Sequence, residues 1–276
     1  MTLSVNTNTG AQVALQNLNA TNAQLAITQN RINTGKSVAT AKDNGAIWAI
    51  AQGQRADIGA LNAVNQSLNR GVAAVDVALA AGETVSDLLI QLKEKALSAT
   101  DSSLTTSARA ALNEDFKSLR NQIATVTANA DFNGVNLLKT GATGFQALAN
   151  AQGTSSLTVG AEVLALGGAN VTITATQSID TLTKATASLT AVNTSIDRVS
   201  ASLARLGTKS KALSTHLSFV GKLADTLEAG VGNLVDADLA KESAKLQALQ
   251  TKQQLGVQAL GIANQTPQLV LSLFRN

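Results

Sequence analysis

The chain has 276 residues, a net charge of +3 and a pI near 9.3, yet only 14% of its residues are charged and 2% are aromatic. The apolar content is Ala, Leu, Val and Ile, which favours helix packed on helix, and the scattered cations without interleaved aromatics exclude a nucleic-acid partner. With no cysteine and one histidine, His216, disulfides, thiolate chemistry and a histidine metal cage are excluded, and no cofactor or catalytic centre is implied.

The first predicted helix repeats Ala11, Leu15, Leu18, Leu25 and Ile32, with Asn22 and Gln29 read as intervening positions of the same seam. Gly35-Lys36-Ser37 lacks the glycine that a phosphate loop needs five positions earlier, where Asn30 stands, so Gly35 reads as a left-handed helix terminator. The second helix runs from Ala46 to Ala99 through Leu61, Val64, Leu68, Val72, Val75, Leu79, Leu89 and Leu92, a rod of roughly 80 Å at about 1.5 Å per residue. Trp48, near its start, reads as a packing anchor at a junction between segments. A polar turn leads to a third helix from Thr105 to Ala130 that carries Ala108, Leu112, Phe116, Leu119, Ile123 and Val126, forming a hairpin with the second.

Between Asn129 and Asp180 the period changes. Asn133-Gly134 and Gly167-Gly168 are turn signals, while Leu157/Val159 and Val171/Ile173/Ala175 alternate as half-buried strands do. The fourth helix keeps its step through Leu182, Ala185, Leu189, Val192, Ile196, Val199, Leu203, Leu206, Leu213, Leu217 and Val220, and His216 reads as a partly exposed helix residue. Gly230-Val231-Gly232 reads as a break between helices, and Asp236 and Asp238 as carboxylates at the start of the last one. That last helix places Leu246, Leu249, Val257, Leu260, Leu269 and Leu273 on an apolar stripe backed by very few charges, which predicts that it is covered by another segment or another copy. Glutamines, Asn264 and Pro267 in the uncharged stretch 253–274 exclude a membrane span. Met1–Asn6 carries neither a basic nor an apolar leader, so no cleavable secretory signal is expected.

Taken together the fold class is mainly α: a long helical-bundle rod with a small β-hairpin region, and with the N- and C-terminal helices paired as a coiled coil. The expected parts are 1–44, the N-terminal half of an inner domain; 45–135, a long-helix hairpin; 136–180, a short β region; 181–234, a further rod helix; and 235–276, the C-terminal half of the inner domain. Both ends are expected to be frayed until they pair, because an isolated, nearly uncharged helix gains too little to offset its ordering entropy.

The segments Leu3-Ser4-Val5-Asn6-Thr7-Asn8, Thr28-Gln29-Asn30-Arg31-Ile32-Asn33-Thr34-Gly35, Ser67-Leu68-Asn69-Arg70-Gly71, Phe132-Asn133-Gly134-Val135-Asn136-Leu137-Leu138, Asn233-Leu234-Val235-Asp236-Ala237-Asp238-Leu239 and Gln253-Gln254-Leu255-Gly256-Val257-Gln258-Ala259-Leu260 stand in the order found in bacterial flagellins. The chain resembles that family over nearly its whole length, with a central insert too short for large outer domains. The resemblance implies an extracellular homopolymer, the helical filament used for swimming, with an inner tube built from the terminal helices. It also implies export without a cleavable signal through the flagellar type III apparatus, with an export chaperone, a filament cap and hook-junction proteins as partners. The polymer interface is expected at Leu15, Leu18, Leu25, Ile32, Leu246, Leu249, Val257, Leu260, Leu269 and Leu273. The alternative reading is a hook-filament junction or accessory protein of the same architecture.

Overall fold

A computed structural model describes the backbone of residues 7–273 and the side chains of residues 7–265. In chain order it contains α1 (Thr9–Thr34), α2 (Gly45–Ser98), α3 (Thr106–Asn129), β1 (Phe145–Leu148), β2 (Ser156–Val159), α4 (Leu182–Val235) and α5 (Leu239–Leu273). Two compact units result, one from residues 1–56 with 226–276 and one from residues 57–225.

Each helix starts where a side chain can satisfy a free backbone N–H. Asn8 Oδ1 accepts from Ala11 N at 3.0 Å, Asn44 Oδ1 from Ala46 N and Ile47 N at 3.2 Å, and Thr105 Oγ1 from Ala108 N at 3.2 Å. Of the two carboxylates expected at the last helix, Asp238 is the cap, its Oδ1 accepting from Lys241 N at 3.0 Å, whereas Asp236 bridges to the backbone of Lys36. Gly35 ends α1 with φ 67°, the left-handed conformation that a glycine adopts without strain. The expected break at Gly230-Val231-Gly232 does not occur, and α4 passes through it as one helix of 54 residues. A glycine weakens a helix by about 1 kcal/mol. Burial of Val231 and Val235 on the same face offsets that weakness.

The core of the 57–225 unit is drawn from three helices. α2 buries Leu61, Val64, Leu68, Val75, Val85, Leu89 and Leu92; α3 buries Phe116 and Ile123. α4 buries Ala185, Val192, Val199, Leu206, Leu213 and Val220, a strict seven-residue step. The antiparallel run of α3 on α2 is marked by Lys95 Nζ to Asp115 Oδ2 at 2.8 Å and by Arg109 Nε donating to Ala99 O at 3.1 Å. Gly82 of α2 lies where a Cβ would strike Leu203 of α4, so these helices approach closely there.

Three buried serines, Ser188, Ser195 and Ser202, occupy the positions between the apolar residues of α4. A buried hydroxyl without a partner costs about 1–3 kcal/mol, so each needs one. The irregular segment before α4 supplies two. Ser188 Oγ donates to Ser178 O at 3.0 Å and Ser195 Oγ accepts from Thr172 N at 2.9 Å. Ser202 Oγ accepts from Arg205 at 3.0 Å, while the same guanidinium grips both oxygens of Glu162 at 2.7 and 2.6 Å.

The β region is a single antiparallel hairpin in which Phe145 faces Val159 and Leu148 faces Ser156. Leu157 and Val159 therefore lie in a strand as expected, but Val171/Ile173/Ala175 does not. Val171 and Ile173 are buried, yet Val171 forms only an isolated bridge with Leu166 and Thr172 is held by Ser195. The strand that pairs with 156–159 is Phe145–Leu148, laid on α2 with its ring against Gly71 and with Leu148 N donating to Ser67 Oγ at 3.1 Å. His216 is half-buried, its Nε2 2.8 Å from Ala149 O and its ring centroid 5.7 Å from Phe219. Trp48 is half-buried as well.

At Gly144 a Cβ would run into the Val159 carbonyl oxygen and the Gly160 backbone, neither of which can swing aside. Gly144→Ala should therefore destabilise the 57–225 unit by roughly 1–3 kcal/mol, the usual penalty of overpacking. Denaturant unfolding followed by a probe in the hairpin checks this, with a midpoint equal to that of the parent as the contrary result.

Candidate assembly surface

Antiparallel pairing of α1 with α5 forms the centre of the terminal unit. Asn8 Nδ2 donates to Ala263 O at 2.7 Å at one end, Gln253 Nε2 to Asn22 Oδ1 at 2.8 Å in the middle, and Arg31 Nη1 to Glu242 Oε1 at 3.0 Å at the other end. The buried and half-buried residues of α1 are Ala11, Ala14, Leu18, Thr21, Leu25, Thr28 and Ile32, with Arg31 beside the last; those of α5 are Glu242, Leu246, Leu249, Gln253, Gly256, Leu260 and Ala263. Both rows alternate steps of three and four, the spacing of knobs-into-holes packing. Gly256 forms the hole for Leu18, since a Cβ there would lie 3.3 Å from Leu18 Cδ1.

This seam differs by one position from the sequence reading. The intervening α1 residues are Ala14, Thr21 and Thr28, not Leu15, Asn22 and Gln29, which are exposed. Leu18, Leu25, Ile32, Leu246, Leu249 and Leu260 meet within the chain, whereas Leu15 and Val257 stand on the margin, 48% and 56% exposed. The side chains of Leu269 and Leu273 fall outside the described residues.

A backbone clamp closes one end of the pair. Ser37 N donates to Val235 O at 2.7 Å and Ala237 N to Gly35 O at 2.9 Å, over a small core that includes Val38, Ala51, Val231 and Val235. The turn from α1 into α2 is held by Asp43, whose Oδ2 accepts from Thr40 N at 2.8 Å and Ala39 N at 3.0 Å. The Thr40 N–H is the main reason that the carboxyl titrates below its ordinary value.

The outward side of the same two helices is apolar too. Val13, Ile27, Leu255 and Ile262 are all at least half exposed. Val13, Ala20 and Ile27 recur every seven residues on α1, as Ala248, Leu255 and Ile262 do on α5. Arg31 is the one charge on α1, and α5 carries only Lys241, Glu242, Lys245 and Lys252. Patches of this kind on soluble chains mark surfaces that another molecule covers. Among the described residues no group of three or more acidic or histidine side chains is arranged to hold a metal ion, and no helix is long and apolar enough to cross a membrane.

An antiparallel terminal helix pair with an exposed apolar row on its outer side, in a chain of long helices, is the architecture of a subunit that assembles through its helices. The model of the bacterial flagellin N-terminal helical region matches residues 5–143, and that of the C-terminal helical region matches residues 189–274. The chain belongs to the bacterial flagellin family. Flagellin FljM of Caulobacter vibrioides is 57% identical over 99% of this chain and 98% of its own, FljK of the same organism is 56% identical over the same shares, and a flagellin of Brucella melitensis is 38% identical over 99% of both. A solved structure assigned to the flagellar hook-associated proteins of Vibrio parahaemolyticus covers 70% of this chain and 100% of its own with a TM-score of 0.56, but at 14% identity it is alike in fold alone. A filament subunit is therefore the function, and the junction-protein alternative is not favoured.

The position of Asp43 has a pH consequence. Its folded value lies below the ordinary 3.8, so its contribution is fully present above that value and is lost as the pH falls through the lower, folded value. Protection of the Ala39 and Thr40 amides, taken as the ratio of intrinsic to observed exchange at each pH, should therefore fall on acidification in the parent, and the step should be missing in Asp43→Asn. Identical acid profiles in the two proteins would contradict this role.

Proposed function

We propose that α1 and α5 build the inner tube of the filament through their outward stripes, with each copy contacting the next by a heterologous interface that does not close, so that a polymer grows. The observation that carries this reading is the second seven-residue repeat, Val13/Ala20/Ile27 and Ala248/Leu255/Ile262, exposed on helices with almost no charge. Covering one such side chain contributes about 1.5–3 kcal/mol for the larger residues. Leu15 and Val257 belong to this intersubunit set, and Leu269 extends the α5 repeat by one further step. Leu18, Leu25, Ile32, Leu246, Leu249 and Leu260 act one level below, by holding the two helices together so that the outer stripes are presented. Leu273 is assigned to the interface from its place in the sequence. The inner-tube halves are 1–44 and 235–276, and the long helices with their hairpin form the outer layer.

The same stripes call for cover before assembly. The proposal includes an export chaperone shielding α5, passage of the unfolded chain through the flagellar type III apparatus, and addition beneath a filament cap above hook-junction proteins, a reading that membership of the family supports.

The two residue classes separate by mutation. Leu255→Asp, on the outward stripe and 58% exposed, should abolish polymer while leaving helix content and the monomer melt unchanged. Leu249→Asp replaces a side chain only 3% exposed. It should unpair α1 from α5, losing at least the roughly 2–5 kcal/mol typical of an emptied core site, and should stop assembly as a consequence. Sedimentation and circular dichroism read both effects, and normal polymer from Leu255→Asp would remove the proposed interface.

A further inference from the structure

Glu242 is the only carboxylate among the buried side chains of the described residues, and it lies in the α1–α5 seam. Its Oε1 accepts from Arg31 Nη1 at 3.0 Å, but its buried Oε2 has no partner, and neither has the hydroxyl of fully buried Thr28 in the same seam. An ion pair in which only the half-satisfied carboxylate is buried, the Arg31 side chain being 32% exposed, is poor as a stabilising device, since well-packed apolar residues commonly match or exceed it. Buried polar groups in coiled-coil seams have a better attested use, which is to choose the partner.

This chain has a partner problem. α1 and α5 carry seams of the same spacing and almost no charge, and every copy presents both, so α5 against α5 and α1 against α1 compete with the native pair. The clamp beside Gly35 does not discriminate, because it is made by backbone groups, to which only the Ser37 hydroxyl adds a bond to Val235 O at 3.2 Å. Charge does. An α5–α5 pair buries Glu242 with no cation in the seam, and an α1–α1 pair leaves Arg31 without its acceptor. We infer that the Arg31–Glu242 pair is a specificity device that commits α1 to α5 and rejects self-pairing of the terminal helices. The inference goes beyond the filament reading, because it concerns which helices pair and not what their outer stripes contact.

The absence of cysteine from the chain gives a clean test. Gln253 is a seam residue of α5 (Leu239–Leu273), so an in-register parallel α5–α5 pair sets two copies of it face to face. In dilute, unpolymerised full-length protein, Gln253→Cys should form little disulfide dimer on oxidation. Adding Arg31→Leu with Glu242→Leu should raise the dimer several-fold, and the exchanged pair Arg31→Glu with Glu242→Arg should return it to the parental level. A second reporter, Asn22→Cys with Gln253→Cys, should close within the chain in the parent and in the exchanged variant, and less completely in the double leucine variant. An unchanged dimer yield in the double leucine variant overturns the proposal, as does a high yield in the exchanged variant. Loss of the intrachain bond without gain of dimer also overturns it, since the pair would then be a plain stabilising contact. Filament formation by Leu255→Asp tests the outer stripes separately and does not bear on these outcomes.

Discussion

A helix with one apolar face can be satisfied by one neighbour; a helix with two cannot. On α1 the residues Val13, Ala20 and Ile27 stand two positions beyond Ala11, Leu18 and Leu25, about 200° round the helix at about 100° per residue. No single partner helix reaches both sets. α5 therefore covers Leu18, Leu25 and Ile32 and leaves the other row exposed, and α1 does the same to α5. The scarcity of charge on both helices removes the usual compensation for exposed apolar surface, and on the proposed reading what is left uncovered in one chain drives addition of the next.

The 57–225 unit solves the opposite problem. Its helices carry enough polar residues to face water, and most of their apolar rows are buried internally, with Ile90, Leu97 and Phe219 left exposed. On α4 the apolar row is interrupted by serine at every other core position, which weakens a purely hydrophobic seam. Those hydroxyls instead fasten an irregular segment that no regular ladder could hold. Thr172, Ser178 and Glu162 are each tied, directly or through Arg205, to a serine of that row. Polar positions within a core thus convert a floppy connection into part of the packed unit.

The long helices were legible in the sequence because one seven-residue step persists over many turns, most clearly from Ala185 to Val220. The caps were legible where residue type and position agree, at Gly35 and Asp238. Reading failed where bulk was weighed above position. On α1, Leu15, Asn22 and Gln29 satisfy the spacing as well as Ala14, Thr21 and Thr28 do, and leucine outweighed alanine and threonine. The packed seam prefers the smaller set because it lets the backbones approach, as Gly256 does opposite Leu18. The same bias assigned Val257 to the row that Gly256 occupies. Gly230 and Gly232 looked like a terminus because local propensity is visible in a sequence, whereas the burial of Val231 and Val235 is a tertiary fact. Phe145–Leu148 was missed because apolar Leu148 stands on the exposed side and small Ala147 on the buried side, which blurs the alternation, and the closeness of Gly144 to β2 shows only in three dimensions.

Small residues in the seam carry a further consequence for assembly. Where Ala14, Thr21, Thr28 and Gly256 allow close approach, the pair is narrow, and the residues on its margins and outer side are brought nearer to the axis of the pair. Leu15 and Val257 then border the seam, able to touch both the partner helix and an incoming copy. Larger side chains at the intervening positions would bury more surface within the chain but would separate the helices and part the two outer rows. The seam sacrifices some internal hydrophobic contact, and the outer rows stay uncovered within the chain, which is the surface the proposed assembly uses.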